Sequence, residues 1–141
     1  MSGLLHAEVL LPGPACRGRA LALTAPISFW GGVDPKTALI ADSRHPEYGQ
    51  NISGRILLVP ETVGSSSAAA ILLELVHAGR SPTAIVLHQP DAILLLGLIV
   101  AKEMGWGTPM ALRLDRGCFA DLNGQVLEIT CSGEMSTGLA P

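Results

Sequence analysis

Three consecutive serines follow a glycine near the middle of the chain, over Gly64 to Ser67, and an alanine-rich apolar segment comes directly after them. The apolar runs on either side indicate that this motif joins a strand to the start of a helix. At a helix start several backbone N–H groups lack helical partners, and the helix dipole adds about half a positive charge. The motif therefore predicts an anion site. The simpler alternative is an ordinary serine N-cap, for which one side-chain oxygen is enough.

A second segment combines aromatic, glycine and acidic residues and reads Ser-Phe-Trp-Gly-Gly-Val-Asp-Pro over residues 28–35. Gly31 and Gly32 allow backbone conformations that other residues avoid, and they let a ligand approach the backbone closely. Asp34 precedes a proline, which favours an extended or turn conformation. We therefore expect this loop to face a ligand-binding site. Spacing alone also fits a tight loop around a buried Trp30.

The histidines and cysteines give weaker signals. His45 lies in a polar loop where it could donate to a carboxylate, although a solvated loop histidine is the simpler interpretation. No pair of histidines has metal-ligand spacing. The three cysteines form an odd number without CxxC spacing, which favours buried thiols over a disulfide framework or a zinc site: Cys16, Cys118 and Cys131. We expect no metal to be bound by this chain alone.

Apolar runs alternate with helical segments around the serine motif. Strand patterns cover Arg55–Val59, Ala84–His88 and Pro109–Leu114, and helix patterns cover Ala68–His77 and Ala92–Met104. Asp91 is positioned to cap the second helix. This order predicts a βαβαβ unit with parallel strands and right-handed crossovers.

The flanking segments predict further strands over Ala7–Leu11, Arg19–Thr24 and Gln125–Cys131. The central strands are apolar on both faces, but two helices can cover only one face of a sheet. We therefore expect an α/β fold of two β layers and one α layer. We expect residues 1–141 to form a single domain, with a flexible tail over about 132–141.

Composition excludes several classes of function. Of 141 residues, 48% are apolar and 15% are charged, so some apolar surface is expected to meet a partner. The net charge is −3 without a basic run, which argues against nucleic acid as a ligand. The longest apolar stretch, Ala92 to Ala101, is half of what a bilayer span needs, and the N-terminus lacks a signal-peptide pattern. We expect no membrane contact and a cytoplasmic location.

Five short motifs together carry a family resemblance. They are Gly-Pro-Ala at 13–15, Gly-Arg-Ala at 18–20, the segment 28–35, Gly-Arg-Ile-Leu-Leu-Val-Pro at 54–60, and Gly-Ser-Ser at 64–66. From about Leu11 to Leu114 the chain resembles the small subunit of aconitase X, which is the swivel domain of that enzyme. The resemblance implies a swivelling β/β/α fold, in agreement with the layers expected above.

The resemblance also implies a function. Members of the family are hydro-lyases whose small subunit works with a large subunit, in a heterodimer or a larger assembly, and the large subunit carries an iron–sulfur cluster on its own cysteines. A serine of the Gly-Ser motif acts as proton acceptor, and alignment on Gly64 gives that role to Ser65. The expected substrate-binding residues come from the same two motifs: Gly64, Ser66, Ser67, Gly31, Gly32 and Asp34.

The serine motif also indicates which substrate is expected. Bacterial members dehydrate cis-3-hydroxy-L-proline to a pyrroline-2-carboxylate, and archaeal members dehydrate mevalonate 5-phosphate. This chain has Ser66 and Ala68 where the archaeal pattern Gly-Ser-Thr-x-Gly-Ser has threonine and glycine. The resemblance therefore favours the hydroxyproline reaction, with the phosphomevalonate reaction as an alternative. An alternative from another class is a non-catalytic module that binds an anion or regulates an enzyme.

Overall fold

The computed structural model describes residues 3–64 and 67–141, and within them eight strands and four helices follow one another along the chain. They are β1 (Gly3–His6), β2 (Glu8–Leu11), β3 (Cys16–Ala22), α1 (Phe29–Gly32), β4 (Ile56–Val59), α2 (Ser67–His77), β5 (Ala84–Leu87), α3 (Ala92–Glu103), β6 (Met110–Arg113), α4 (Phe119–Leu122), β7 (Val126–Ile129) and β8 (Glu134–Leu139). Helix α1 is a single turn interrupted by non-helical backbone at Trp30 and Gly31. A short 3-10 turn, Arg116–Cys118, precedes α4.

The predicted βαβαβ unit is confirmed. Strands β4, β5 and β6 pair in parallel, with Leu57 opposite Ile85 and Ile85 opposite Ala111. Helices α2 and α3 form the two crossovers, and they pack against each other. The carboxyl ends of all three strands therefore meet at one edge of the sheet.

Strand β3 links this unit to a second layer. Its first half pairs antiparallel with β7 and its second half pairs in parallel with β4. Strand β8 lies between β7 and β1, whereas β2 pairs with β6 at the far end of the strand order. Because only Ala7 separates β1 from β2, the start of the chain connects the two ends of this order.

Two hydrophobic cores lie on opposite faces of the parallel strands. In β4, Leu57 and Val59 belong to the core beneath α2 and α3, whereas Ile56 and Leu58 belong to the core shared with β7 and β8. All four side chains are fully buried. This alternation explains why the strand is apolar on both faces, and it confirms the expected β/β/α layers.

The C-terminal segment differs from the flexible tail that the sequence suggested. Most of residues 132–141 form β8, which is hydrogen bonded to β1 on one side and to β7 on the other. Met135 is fully buried and Thr137 is 8% exposed, so alternate side chains of β8 point into the core. The Gly, Ser and Thr content resembles a loose tail, but pairing on both sides satisfies the backbone and orders the strand.

Candidate active site

The two sequence motifs meet at the carboxyl edge of the parallel strands. Beyond the ends of β3 and β4, Ile27 and Thr62 form a parallel bridge. The Ile27 N–H donates to the Glu61 carbonyl at 3.1 Å, and the Val63 N–H donates to the Ile27 carbonyl at 3.0 Å. Ligands of open α/β sheets bind at this edge. The bridge therefore holds the start of segment 28–35 beside the loop that leads into the serine motif.

Gly64 approaches Ser28 so closely that a Cβ atom at position 64 would clash with the Ser28 hydroxyl. A Cβ atom on Gly64 would lie 2.6 Å from Ser28 Oγ, and the φ angle of Gly64 is +110°. Ser28 Oγ is itself held, because it donates to the Trp30 carbonyl at 3.0 Å. The positive φ and the close approach to a hydrogen-bonded hydroxyl both favour glycine at position 64.

Ser65, the predicted proton acceptor, and Ser66 lie outside the described residues, between Gly64 and the first residue of α2. That first residue is Ser67, which is exposed. The first turn of α2 contains no acidic residue. The helix therefore keeps the partial positive charge of its N-terminal end on the side of the Gly64 loop.

A cleft of about 560 Å³ opens beside the contact between Gly64 and Ser28. Gly31, Gly32 and Trp30 line it from the second motif, together with Ser28 and Val63. Trp30 is 60% exposed, so the interpretation as a buried tryptophan is wrong. Gly31 has a φ of +77° with open space around it, and this glycine allows the loop to turn towards the cleft. The cleft thus has backbone and aromatic surface that a small ligand can reach.

Asp34 is partly buried at the base of this loop. Its Oδ1 accepts a hydrogen bond from the Lys36 N–H at 2.9 Å, and its carbonyl accepts from the Ala38 N–H at 2.7 Å. The carboxylate therefore closes an Asx turn. The contact between Asp34 and a substrate stays a prediction, and so do the binding roles of Gly31, Gly32 and Gly64.

His45 is buried, which corrects the interpretation as a solvated loop histidine. Its side chain is 4% exposed. Nδ1 accepts from the Glu47 N–H at 3.0 Å and Nε2 lies 3.3 Å from the Ala25 carbonyl, so the neutral ring is protonated at Nε2. Glu47 in turn accepts from the N–H and hydroxyl of Thr24. These bonds fasten the loop 42–47, which forms one wall of the cleft, to the segment that follows β3.

Two charged side chains lie on that wall. Arg44 Nε is 3.4 Å from Asp42 Oδ1. A hydrogen bond from the Arg44 backbone N–H lowers the pKa of Asp42, and the nearby guanidinium lowers it further. The Arg44 side chain is 90% exposed. The cleft therefore has one cationic group that extends into solvent, where it can meet an anionic ligand.

A second cavity of about 550 Å³ lies at the same edge, and its residues were not predicted as functional. Thr24, Pro60 and Arg116 are among the residues that line it. The Arg116 backbone N–H donates to His88 Nδ1 at 3.0 Å, and Arg113 Nε donates to the His88 carbonyl at 3.1 Å. The sequence does indicate that His88 and Arg116 lie near each other, because each follows a parallel strand and these strands end at the same edge of the sheet.

Asp91 connects the serine-motif loop to α3. Its Oδ1 accepts from the Ile93 N–H at 2.9 Å and the Leu94 N–H at 3.2 Å, which confirms the predicted N-cap. Its Oδ2 accepts from the Thr62 hydroxyl at 2.6 Å. One carboxylate therefore caps a helix and also fixes the segment two residues before Gly64.

Asp91→Ala is expected to lower the free energy of unfolding by about 2 kcal/mol, because loss of an N-cap alone typically costs about 1 kcal/mol and the Thr62 bond is lost with it. Denaturant unfolding measures the change. Glu103→Ala, at the exposed C-terminal end of the same helix, is the matched control and should change stability by less than about 0.5 kcal/mol. If Asp91→Ala lowered the free energy of unfolding by no more than the small amount expected of Glu103→Ala, the cap would add nothing to stability.

A known protein family matches the part of the chain that contains this site. The family model of the aconitase X swivel domain matches residues 4–136. The chain belongs to this family. The predicted resemblance is therefore confirmed for the swivel domain, and the Gly64 loop, the Ser28 contact and the cleft all lie within the matched residues.

Named relatives of this swivel domain fall into two groups. The cis-3-hydroxy-L-proline dehydratase of Pseudomonas aeruginosa is 45% identical over 75% of this chain, and the match covers 19% of that protein. The phosphomevalonate dehydratase small subunit of Thermococcus sibiricus is 35% identical over 83% of this chain and 85% of its own length. The swivel domain thus spans about a fifth of the Pseudomonas protein and most of the archaeal subunit.

Solved structures share the fold of this swivel domain. The crystal structure of Thermococcus kodakaraensis aconitase X in its holo-form has a TM-score of 0.79 and 24% identity, covering 96% of this chain and 98% of that chain. The solution NMR structure of a UPF0107 protein also has a TM-score of 0.79 and 24% identity, covering 94% and 97%. At this identity the comparison supports the β/β/α architecture.

The cysteines of this swivel domain do not form a metal site in the part of the chain that is described, where no three His, Cys, Asp or Glu side chains gather as ligands. Burial raises the pKa of the Cys16 thiol, and the nearby Cys131 raises it further. Cys131 is exposed, and Cys16 and Cys118 are only partly buried, so the expectation of buried thiols is wrong for Cys131 and holds only in part for the other two. No helix among the described residues is long and apolar enough to cross a membrane.

Proposed function

We propose that this chain is the small subunit of an aconitase X-type dehydratase that removes water from cis-3-hydroxy-L-proline, with Ser65 as proton acceptor. The contact between Gly64 and Ser28 is the observation that carries the proposal. It brings the glycine before Ser65 against the loop that lines the 560 Å³ cleft. The two motifs that the resemblance connects with catalysis thus share one edge of the sheet.

The chemistry needs a base at the carbon that bears the carboxylate. The base takes the proton from C2, the C2–C3 double bond forms, and the C3–O bond breaks. The leaving hydroxide takes up a proton from a general acid and departs as water, and the C2 proton passes from the base to solvent. The resulting enamine tautomerises to Δ1-pyrroline-2-carboxylate. A serine hydroxyl is a weak base unless its alkoxide is stabilised. The N-terminal end of α2, which has no acid in its first turn, is suited to that stabilisation.

The proposal includes a large subunit as partner. The Pseudomonas relative is a dehydratase of which this domain matches 19%, and the Thermococcus sibiricus relative is named as a small subunit. We propose that the large subunit holds the iron–sulfur cluster, because the described residues of this chain gather no ligand set for one. The single chain should therefore be inactive.

Two observations favour hydroxyproline over the phosphorylated substrate. Identity to the Pseudomonas hydroxyproline dehydratase is 45%, compared with 35% to the archaeal phosphomevalonate subunit. Ser66 and Ala68 also depart from the archaeal motif. The test is an assay of the purified pair of subunits on cis-3-hydroxy-L-proline and on mevalonate 5-phosphate. We expect turnover of the first compound, and turnover of the phosphate compound alone would overturn the proposed substrate.

Asp34→Asn is expected to lower kcat/KM for cis-3-hydroxy-L-proline by about tenfold to a hundredfold, which corresponds to loss of a charge-assisted contact with the ring nitrogen. The substitution isolates the charge, because an asparagine oxygen can still accept from the Lys36 N–H and keep the turn. Steady-state kinetics on the reconstituted pair give the measurement. An unchanged kcat/KM would leave Asp34 as a turn residue only.

A further inference from the structure

Helix α3 has an apolar face that the chain itself leaves uncovered. Five large hydrophobic residues of this helix and its C-cap are 43% to 61% exposed: Ile93, Leu96, Ile99, Val100 and Met104. At 100° per residue they fall within one side of the helix. Together they expose on the order of 500 Å² of apolar surface, which is the size of the largest apolar patch on a typical monomer, and such a patch is often functional. We call these five residues the α3 face.

Helix α3 cannot turn to bury this face within the chain. Gly97 lies against α2, where a Cβ atom would be 3.1 Å from Ala69 Cβ and 3.3 Å from the Ala69 carbonyl oxygen. Leu94 and Leu98 are already buried on the same inner side. This close packing sets the rotation of the helix, so the α3 face points away from the domain.

The α3 face lies next to the candidate active site. Asp91 caps the first turn of α3 and bonds the Thr62 hydroxyl at 2.6 Å. Val63, the next residue along the chain, is 48% exposed and lines the cleft. The Thr62–Asp91 hydrogen bond therefore ties the start of α3 to the loop that carries Val63 to the cleft. A protein that covers the cleft at Val63 would come close to the start of α3.

From these observations we infer that the α3 face is the docking surface for the large subunit, an inference that rests on the proposed function. In the Pseudomonas relative this domain matches 19% of one polypeptide, so most of that protein is available to cover it. From Ala92 to Ala101 the helix has no charged or polar side chain. A helix that is apolar all round is typically buried. Uncharged contact surfaces of this kind are typical of permanent complexes.

The test measures the affinity of the purified chain for the purified large subunit of the same organism. The double variant Leu96→Glu with Val100→Lys puts two charges on the α3 face, and the pair is spaced i, i+4 so that the helix keeps its stability. The dissociation constant should rise at least about thirtyfold, as expected for hot-spot residues. Leu4→Glu, at a leucine that is 66% exposed on β1, is the matched control and should change it less than about twofold.

Met104→Glu, at the C-cap of α3, serves as a second variant that leaves the helix interior intact, and it should weaken binding in the same direction. Wild-type binding that survives both α3 variants unchanged would overturn the docking surface and leave the proposed function standing. Failure of the wild-type chain to bind the large subunit would overturn both. A chain that dimerises alone, and becomes monomeric in the double variant, would show that a second copy covers the face and overturn the inference.

Discussion

Ser65→Ala is expected to lower the turnover of the reconstituted dehydratase by at least about 100-fold, the lower end of what a general base contributes. The reason is chemical: alanine has no oxygen to take the C2 proton. Folding and association with the large subunit should stay intact, because the substitution removes a single hydroxyl. Steady-state turnover on cis-3-hydroxy-L-proline gives the result, with circular dichroism and a binding measurement as checks on structure and assembly.

The neighbouring serines are the matched controls for this prediction. Ser66→Ala and Ser67→Ala should have milder effects, since each loses a hydrogen bond or a cap worth about 1 kcal/mol. Near-normal turnover in Ser65→Ala together with lost turnover in Ser66→Ala would show that the proton acceptor is Ser66. The three variants therefore test both the role and the alignment of the motif.

Gly64→Ala is expected to lower turnover by about 100-fold as well, but through position and not through chemistry. A Cβ atom at this place would lie 2.6 Å from Ser28 Oγ, and the φ of +110° is unfavourable for alanine. Ser28 Oγ is held by its bond to the Trp30 carbonyl, so we expect the clash and the unfavourable φ to displace the loop, and a displacement of about 1 Å at a reacting group costs on the order of 100-fold in rate. The free energy of unfolding should also fall, by about 1 to 3 kcal/mol.

Gly54→Ala provides the control for Gly64→Ala. Gly54 also has a positive φ, +69°, but a Cβ atom there meets nothing within 4 Å. The Gly54→Ala substitution should lower the free energy of unfolding by about 1 kcal/mol and leave turnover unchanged. If both glycine variants kept wild-type turnover, the close contact between Gly64 and Ser28 would have no part in catalysis.

Local pattern predicted the parallel core and its connection to the serine motif. The strands 56–59, 84–87 and 110–113 and both crossover helices lie within a residue or so of their predicted bounds, since apolar runs and caps are local signals. The second β layer could also be predicted, because strands that are apolar on both faces need a covering layer on each side. The Asp91 cap was also readable, because its oxygens bond the N–H groups two and three residues later.

Features that depend on distant partners were not predictable in the same way. His45 is buried and its Nε2 lies 3.3 Å from the Ala25 carbonyl, a contact between residues 20 apart in the chain. Strand β8 forms because β1 and β7 flank it. Trp30 stays exposed although tryptophan is usually well buried. For each of these features the residue types fit two structures, and the tertiary structure determines which of the two forms.

We propose that this chain is one of the two subunits of a dehydratase, and the turnover of cis-3-hydroxy-L-proline by each purified subunit and by their mixture tests that claim. We expect no turnover with the small subunit alone, none with the large subunit alone, and dehydration when the two are combined. Dehydration by this chain without a partner would contradict the claim. So would full turnover by the large subunit alone, since this chain would then be a non-catalytic or regulatory module.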